Sequence, residues 1–283
     1  MTLRDALAAE QPLQIAGAVN AYAALLAERA GFKALYVSGA GVANHSFGLP
    51  DLALTNLGDV VTDTARITGA VDLPVLVDID TGWGHALTIA RAVRELERVG
   101  AAAVQIEDQA GAKRCGHRPG KEVVETSEMV ERIRAATGAR RSPDFATVAR
   151  TDARAVEGLD AAVARSVAYQ QAGADAIFAE APESLDELRA FTAALDVPVL
   201  ANITEFGVTP LFTLDELRDA GVAMALYPLS AARASARAAA DVYREIRETG
   251  TQAGVLDRMQ TRDELYDVLD YLRYEQAVDA VRE

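Results

Sequence analysis

Two carboxylates, Asp78 and Asp80, open the stretch Asp78-Ile-Asp-Thr-Gly-Trp-Gly84 and carry the sharpest chemical signal in the chain. They follow Leu73-Pro-Val-Leu-Val77, an apolar run that reads as a strand buried on both faces. Side chains alternate along a strand, so Leu76, Asp78 and Asp80 share one face while Val75, Val77 and Ile79 share the other. Two carboxylates on one face of a buried strand repel each other and resist desolvation unless a cation neutralises them. Taken alone, the stretch also fits a strand running out into a solvated acidic turn. Other residues of the same kind change that balance. Asp51 and Glu107 join Asp78 and Asp80 as candidate oxygen ligands, and no histidine stands among them. That donor set suits Mg²⁺ or Mn²⁺ better than a softer metal.

A second constellation is Lys113-Arg114-Cys115-Gly116-His117-Arg118. Cations beside a thiol favour the thiolate. A lone cysteine is usually an inert buried residue, but a stretch this polar and glycine-flanked argues for a catalytic acid or base, or a redox-sensitive thiol. Lys113, with Arg150, could also grip substrate carboxylates.

These residues need a scaffold, and strand-like and helix-like segments alternate along the whole chain. Strands are expected over 12–19, 34–39, 74–80, 102–108, 145–152, 176–181, 198–204 and 222–228. A glycine-rich loop is expected from the second strand to Asp51. Helices fill the intervals, and a long alanine-rich one covers 230–249. Eight such units predict an α/β fold of the closed (β/α)8 type. An open doubly wound sheet is disfavoured because no GxGxxG follows the first strand. One barrel domain over 1–283 is expected, with a helical extension over 250–283. Within it, 261–283 reads as one helix whose stripe of Leu265, Leu269 and Leu272 has no barrel face left to cover. Such a helix packs across the barrel bottom or on another subunit.

In a barrel of this kind, chemistry collects at the C-terminal strand ends. The expected ends carry Ser38, Gly39 and Ala40; Asp78 and Asp80; Glu107 and Asp108; Arg150 and Asp152; Glu180; and Asn202 and Thr204. Polar groups on so many ends of one rim are more than solvation requires.

Bulk properties narrow the partners. The chain has 283 residues, 28 Lys plus Arg against 42 Asp plus Glu, and a formal charge of −14. Such an acidic chain lacks the basic face that nucleic acid needs, and an acidic substrate would need a local cation. The single cysteine excludes an internal disulfide and fits a reducing compartment. No run reaches transmembrane length and the acidic N-terminal stretch does not read as a secretory signal, so a cytoplasmic location is expected.

The motifs VDIDTGWG, IEDQAGAKRCGHRPGK, ARTDARAVEGLDAA and LANITEFGVTPLFTLDELR resemble the isocitrate lyase and phosphoenolpyruvate mutase superfamily. KRCGH is similar to the lyase branch, and the later stretches, including GTQAGVLDRMQTRDELYDVLDYLRYE, to its methylisocitrate members. The resemblance implies a (β/α)8 barrel in a homotetramer whose last helix is exchanged between subunits. It implies Mg²⁺ held at Asp78, with Asp51, Asp80 and Glu107 reaching it directly or through water. Ser38, Gly39, Ala40, Gly116, His117, Arg150, Glu180, Asn202 and Thr204 match substrate contacts, and Cys115 matches a catalytic cysteine on a gating loop. The implied reaction is cleavage of a small tricarboxylate, 2-methylisocitrate, to pyruvate and succinate in propionate breakdown. Tyr36 and Glu180 are candidate acceptors of the hydroxyl proton. Isocitrate cleavage and oxaloacetate hydrolysis are related reactions on the same site. A silent binding barrel fits poorly with an intact carboxylate set. The chain departs from the family pattern at Ala40 and at Asn44-His45-Ser46, where smaller residues are usual.

Overall fold

Every expected strand forms, and the strands close on themselves. The computed structural model describes residues 1–111 and 113–282. β1 (Leu13–Gly17), β2 (Ala34–Val37), β3 (Val75–Asp78), β4 (Ala103–Glu107), β5 (Ala146–Thr151), β6 (Ala176–Ala179), β7 (Val199–Asn202) and β8 (Met224–Tyr227) run in chain order. All neighbours are parallel, and β8 pairs back to β1. Each strand is two or three residues shorter than its sequence pattern, because the apolar run continues into the turns that carry the polar rim.

Alternation explains the two cores. Inward residues such as Ile15, Leu76, Val148, Phe178 and Leu200 fill the barrel. Outward residues such as Val75, Val77 and Ile79 pack against Ile67, Ile89 and Val93 of the surrounding helices. The helix Leu57–Thr68 starts at a reciprocal cap, in which Asn56 accepts from the Gly58 and Asp59 amides and Asp59 accepts from the Asn56 amide. The lead-in helix Leu3–Ala9 buries Leu3 and Ala6 against the lower end of the barrel interior.

Two expectations need correction. The glycine-rich segment after β2 is not a loop. It forms a helical turn, Gly39–Gly41, followed by a π-helix, Val42–Ser46. Glycine disfavours helix in isolation, but here tertiary contact decides. A Cβ at Gly39 would lie 3.0 Å from Asp80 Oδ1, and Ser46 Oγ donates to Asp63 at 2.5 Å. Nor is 261–283 one helix. It splits into Arg262–Val268 and Tyr271–Arg282 at Asp270, whose φ is +51°; Glu283 lies outside the described residues. The helix Ser230–Thr249 buries only Ala232, and Tyr271–Arg282 buries nothing. No helix among the described residues is long and apolar enough to cross a membrane.

Closure is tightest at the top of β1, where a Cβ on Gly17 would fall 1.7 Å from the Pro228 carbonyl oxygen. Gly17→Ala is therefore expected to destabilise the chain by roughly 1–3 kcal/mol, the usual range for overpacking, as read from urea unfolding. Unchanged stability would mean that β1 and β8 are less closely joined than they are here.

Candidate active site

β3 and β4 lie side by side, with Asp78 paired to Gln105. Glu107 is on the same inward face two residues on, and its amide donates to the Asp80 carbonyl at 3.0 Å. Asp80 adopts a left-handed φ of +48°, which ends the strand and turns its carboxylate back over the barrel. Asp78, Asp80 and Glu107 are all buried, and each offers an oxygen within 4.8 Å of the others. Asp78 accepts from the Gly39 amide at 3.1 Å and the Asp80 amide at 3.0 Å.

Burial, then the Asp78 charge, raises the Asp80 carboxyl to about 6, against the pull of Lys113. Burial also pushes Glu107 well above the ordinary carboxylate range. Lys113 reaches into this crowd: its Nζ lies 2.5 Å from Asp51 Oδ1 and 2.8 Å from Asp80 Oδ1. Burial works against its charge, but Asp80, Glu107, Asp78 and Asp51 outweigh that and hold its pKa well up. Asp80 Oδ1 meets Lys113 as an ion pair without hydrogen-bond alignment, and Glu107 Oε1 is buried without a donor. Orphaned hard oxygens in a negative pocket are the donor set a small divalent cation takes. Asp51, expected beside the three, meets Lys113 instead and stands outside the cluster.

Beside Glu107 on the next strand stands a buried cation. Arg150, on β5, makes a fork with Asp152 at 2.9 and 3.1 Å. Its guanidinium also lies 3.4 Å from Glu107 and from Glu180, and over the Phe178 ring at 5.2 Å. Glu180 accepts from Asn202 Nδ2 at 3.3 Å. A cavity of about 250 Å³ opens onto these residues. Of the predicted residues, Ser38, Ala40, Asp51, Asp78, Lys113, Cys115, Gly116, His117, Arg150, Glu180, Asn202 and Thr204 line it. Gly39, Asp80 and Glu107 stand just behind.

The Cys115 segment is folded down over this cavity. Gln109 cages it, donating to the Arg114 carbonyl and accepting from the Arg114 amide, both at 2.8 Å. Cys115 is half-buried. Gly116 touches down where nothing larger fits: a Cβ there would meet Glu180 Oε1 at 1.8 Å. His117 differs from its expected place among the cations around the thiol. Its Nδ1 accepts from the Val208 amide at 3.2 Å, which leaves the ring proton on Nε2, 3.4 Å from Glu180 Oε1. Burial lowers its pKa, so the ring is neutral near pH 7. The Tyr36 hydroxyl donates to Gln105 Oε1 at 2.6 Å, and burial followed by the Asp78 charge holds its pKa well above 10.

Sequence reasoning missed Lys121, Gln105, Phe178 and Arg233. Gln105 and Phe178 are strand residues whose inward facing was readable only in retrospect. Arg233 reaches the cavity from the helix Ser230–Thr249, with its guanidinium over the Phe206 ring. Lys121 closes the KRCGHRPGK stretch, and its partners Gly116 and Asp152 are set by the fold.

A parallel barrel whose mouth combines a carboxylate cluster with the buried cations Lys113 and Arg150 suits small, multiply charged acids. The chain belongs to the phosphoenolpyruvate mutase and isocitrate lyase superfamily: the phosphoenolpyruvate phosphomutase family model matches residues 3–247. It is 58% identical over 279 residues to the 2-methylisocitrate lyase of Salmonella typhimurium, covering 98% of this chain and 95% of that one. Among solved structures it resembles oxaloacetate acetylhydrolase in complex with 3,3-difluorooxalacetate, with a TM-score of 0.92 and 31% identity over 99% and 96% of the chains. It also resembles phosphonopyruvate hydrolase in complex with oxalate and Mg²⁺, with a TM-score of 0.86 and 31% identity over 99% of both chains.

The raised Asp80 pKa has a signed consequence. Between the unfolded value near 4 and the folded value of about 6, the folded chain binds the extra proton. Asp80 therefore costs stability as pH rises through about 6 in the absence of metal. In chelator, Asp80→Asn should gain stability relative to wild type between pH 5 and pH 8, by about 2 kcal/mol at most. A stability difference that does not change with pH would contradict this.

Proposed function

We propose that this chain cleaves 2-methylisocitrate to pyruvate and succinate. The observation that carries this reading is that Cys115 opens onto the same small cavity as Asp78 and Arg150. The 58% identity to a curated 2-methylisocitrate lyase over nearly the whole chain supports it.

Asp78, Asp80 and Glu107 would hold Mg²⁺, or Mn²⁺ in its place, as the cluster's orphaned oxygens and the Mg²⁺ complex of phosphonopyruvate hydrolase suggest. Bound there, the ion would polarise the substrate's hydroxyl and neighbouring carboxylate oxygens and ease transfer of the hydroxyl proton to a base, for which Tyr36 and Glu180 line the same cavity. Ser38, Ala40 and the Gly39 backbone border the half that becomes pyruvate. Arg150, with Asn202 and Thr204, takes the carboxylates of the half that becomes succinate. The electrons of the breaking C–C bond pass to the succinate carbon, and the Cys115 thiol gives that carbon its proton. The closed loop keeps bulk water from competing for it. Lys113 and Arg150 draw the tricarboxylate in, and the neutral His117 orients it without adding charge.

The same reading makes the protein a cytoplasmic homotetramer whose C-terminal helices pack on a neighbouring subunit. Leu272 and Tyr274 are 66% and 70% exposed, as expected of residues that await a partner. Light scattering at micromolar concentration should give the mass of four chains, and a stable monomer would overturn that assembly.

The activity itself is tested with a panel of 2-methylisocitrate, isocitrate, oxaloacetate and phosphonopyruvate, following pyruvate and succinate. 2-Methylisocitrate should turn over fastest, in equal amounts of the two products and only with Mg²⁺ or Mn²⁺. Preference for another member of the panel would reassign the substrate. Cys115→Ser should bind substrate near normally but lose kcat by roughly 10²–10⁴-fold, the usual weight of general acid catalysis. Retention of more than about a tenth of wild-type kcat would mean that another group protonates the carbon.

A further inference from the structure

Lys121 is a buried cation that the reaction as described does not use. Its side chain is 2% exposed, although the preceding residues Arg118, Pro119 and Gly120 are exposed. An ammonium so deep must be fully paired. Its Nζ donates to the Gly116 carbonyl and lies 3.1 Å from Asp152 Oδ1. Gly116 directly follows Cys115 and presses on Glu180 and Arg150, with no room for a Cβ. Asp152 is fully buried, and it is the carboxylate that forks with Arg150. Its own backbone is fixed from behind: the Asp152 amide donates to Asp108 Oδ1 at 2.8 Å. Asp108 also accepts from Thr151 Oγ1 at 2.7 Å and Tyr169 OH at 2.9 Å. Lys121 thus ties a peptide of the Cys115 loop to the most rigid carboxylate in the barrel wall.

We infer that Lys121 is a positioning residue that latches the Cys115 loop closed through the Gly116 carbonyl. Because Asp152 holds both Lys121 and Arg150, the latch also sets the distance between the thiol and the guanidinium that grips the substrate. Proton delivery from Cys115 depends on that distance, and a displacement of about 1 Å can cost roughly 10²-fold in rate. The ammonium touches neither the cavity nor the carboxylate cluster; it acts through Gly116. The inference rests on the proposed role of Cys115 as the proton donor.

A lysine that merely neutralised Asp152 would leave a different signature, namely lower stability and weaker substrate binding with kcat retained. The test compares wild type with Lys121→Met, Lys121→Gln and Lys121→Arg. Lys121→Met should lose kcat by at least 30-fold with KM within about threefold. Its Cys115 should react faster with iodoacetamide, with and without Mg²⁺ plus succinate. Lys121→Arg, which keeps a charged donor, should recover most of both properties. Lys121→Gln keeps a neutral donor for the Gly116 carbonyl and serves as the reporter if the methionine variant folds poorly. Unchanged kcat together with unchanged alkylation in the folded neutral variants would overturn the latch. A wild-type protein inactive on 2-methylisocitrate would overturn the functional reading instead, and the alkylation comparison would still decide the latch.

Discussion

Three carboxylates crowded into one buried corner are the constraint on which the rest of this site depends. At effective protein dielectric, two unit charges about 4 Å apart repel by roughly 4 kcal/mol, and desolvation adds to that. Asp78, Asp80 and Glu107 stand within this range of one another at the ends of neighbouring strands. Two features of the chain offset part of this cost. Burial raises the pKa of Asp80 and Glu107, and Lys113 is drawn in from the loop opposite. Neither remedy is complete, because Asp80 Oδ1 has only that unaligned ion pair and Glu107 Oε1 has no donor. The close fit of Gly39 follows from the same crowding, since a side chain there would displace the carboxylates that its amide helps to orient.

The neighbouring strand end follows a complementary logic. Arg150 is ringed by Asp152, Glu107 and Glu180, so a guanidinium is kept charged and aimed in a place where water is scarce. Asp152 stays ionised there despite burial, because Arg150 and Lys121 more than offset the desolvation. The cavity therefore offers hard oxygens and paired, fixed cations side by side, with the Cys115 loop bordering it. A substrate that offers a hydroxyl to the former and carboxylates to the latter is oriented by those fields before any bond breaks.

Much of this was legible in the residues. Period-two alternation in apolar runs separated the barrel interior from the helix-facing layer, and it put Asp78 on the inward face with Leu76. The clustering of polar residues at strand ends pointed to one rim because a closed parallel barrel has only one chemically elaborated end. What escaped depended on contacts distant in sequence. Val42–Ser46 winds as a π-helix under tertiary contacts that local propensity does not encode. Lys121 and Arg233 look like surface charges until the fold carries them inward. The partners of Asp51 and Tyr36, Lys113 and Gln105, are likewise distant in sequence.

The central claim is that the carboxylate corner is the seat of a divalent cation, and calorimetric titration of Mg²⁺ into chelator-stripped protein near pH 7.5 tests it most directly. The account predicts one saturable site per chain in the wild type, with binding abolished in a folded Asp78→Ala variant. Absence of binding to the wild type, or equal binding to the variant, would contradict it.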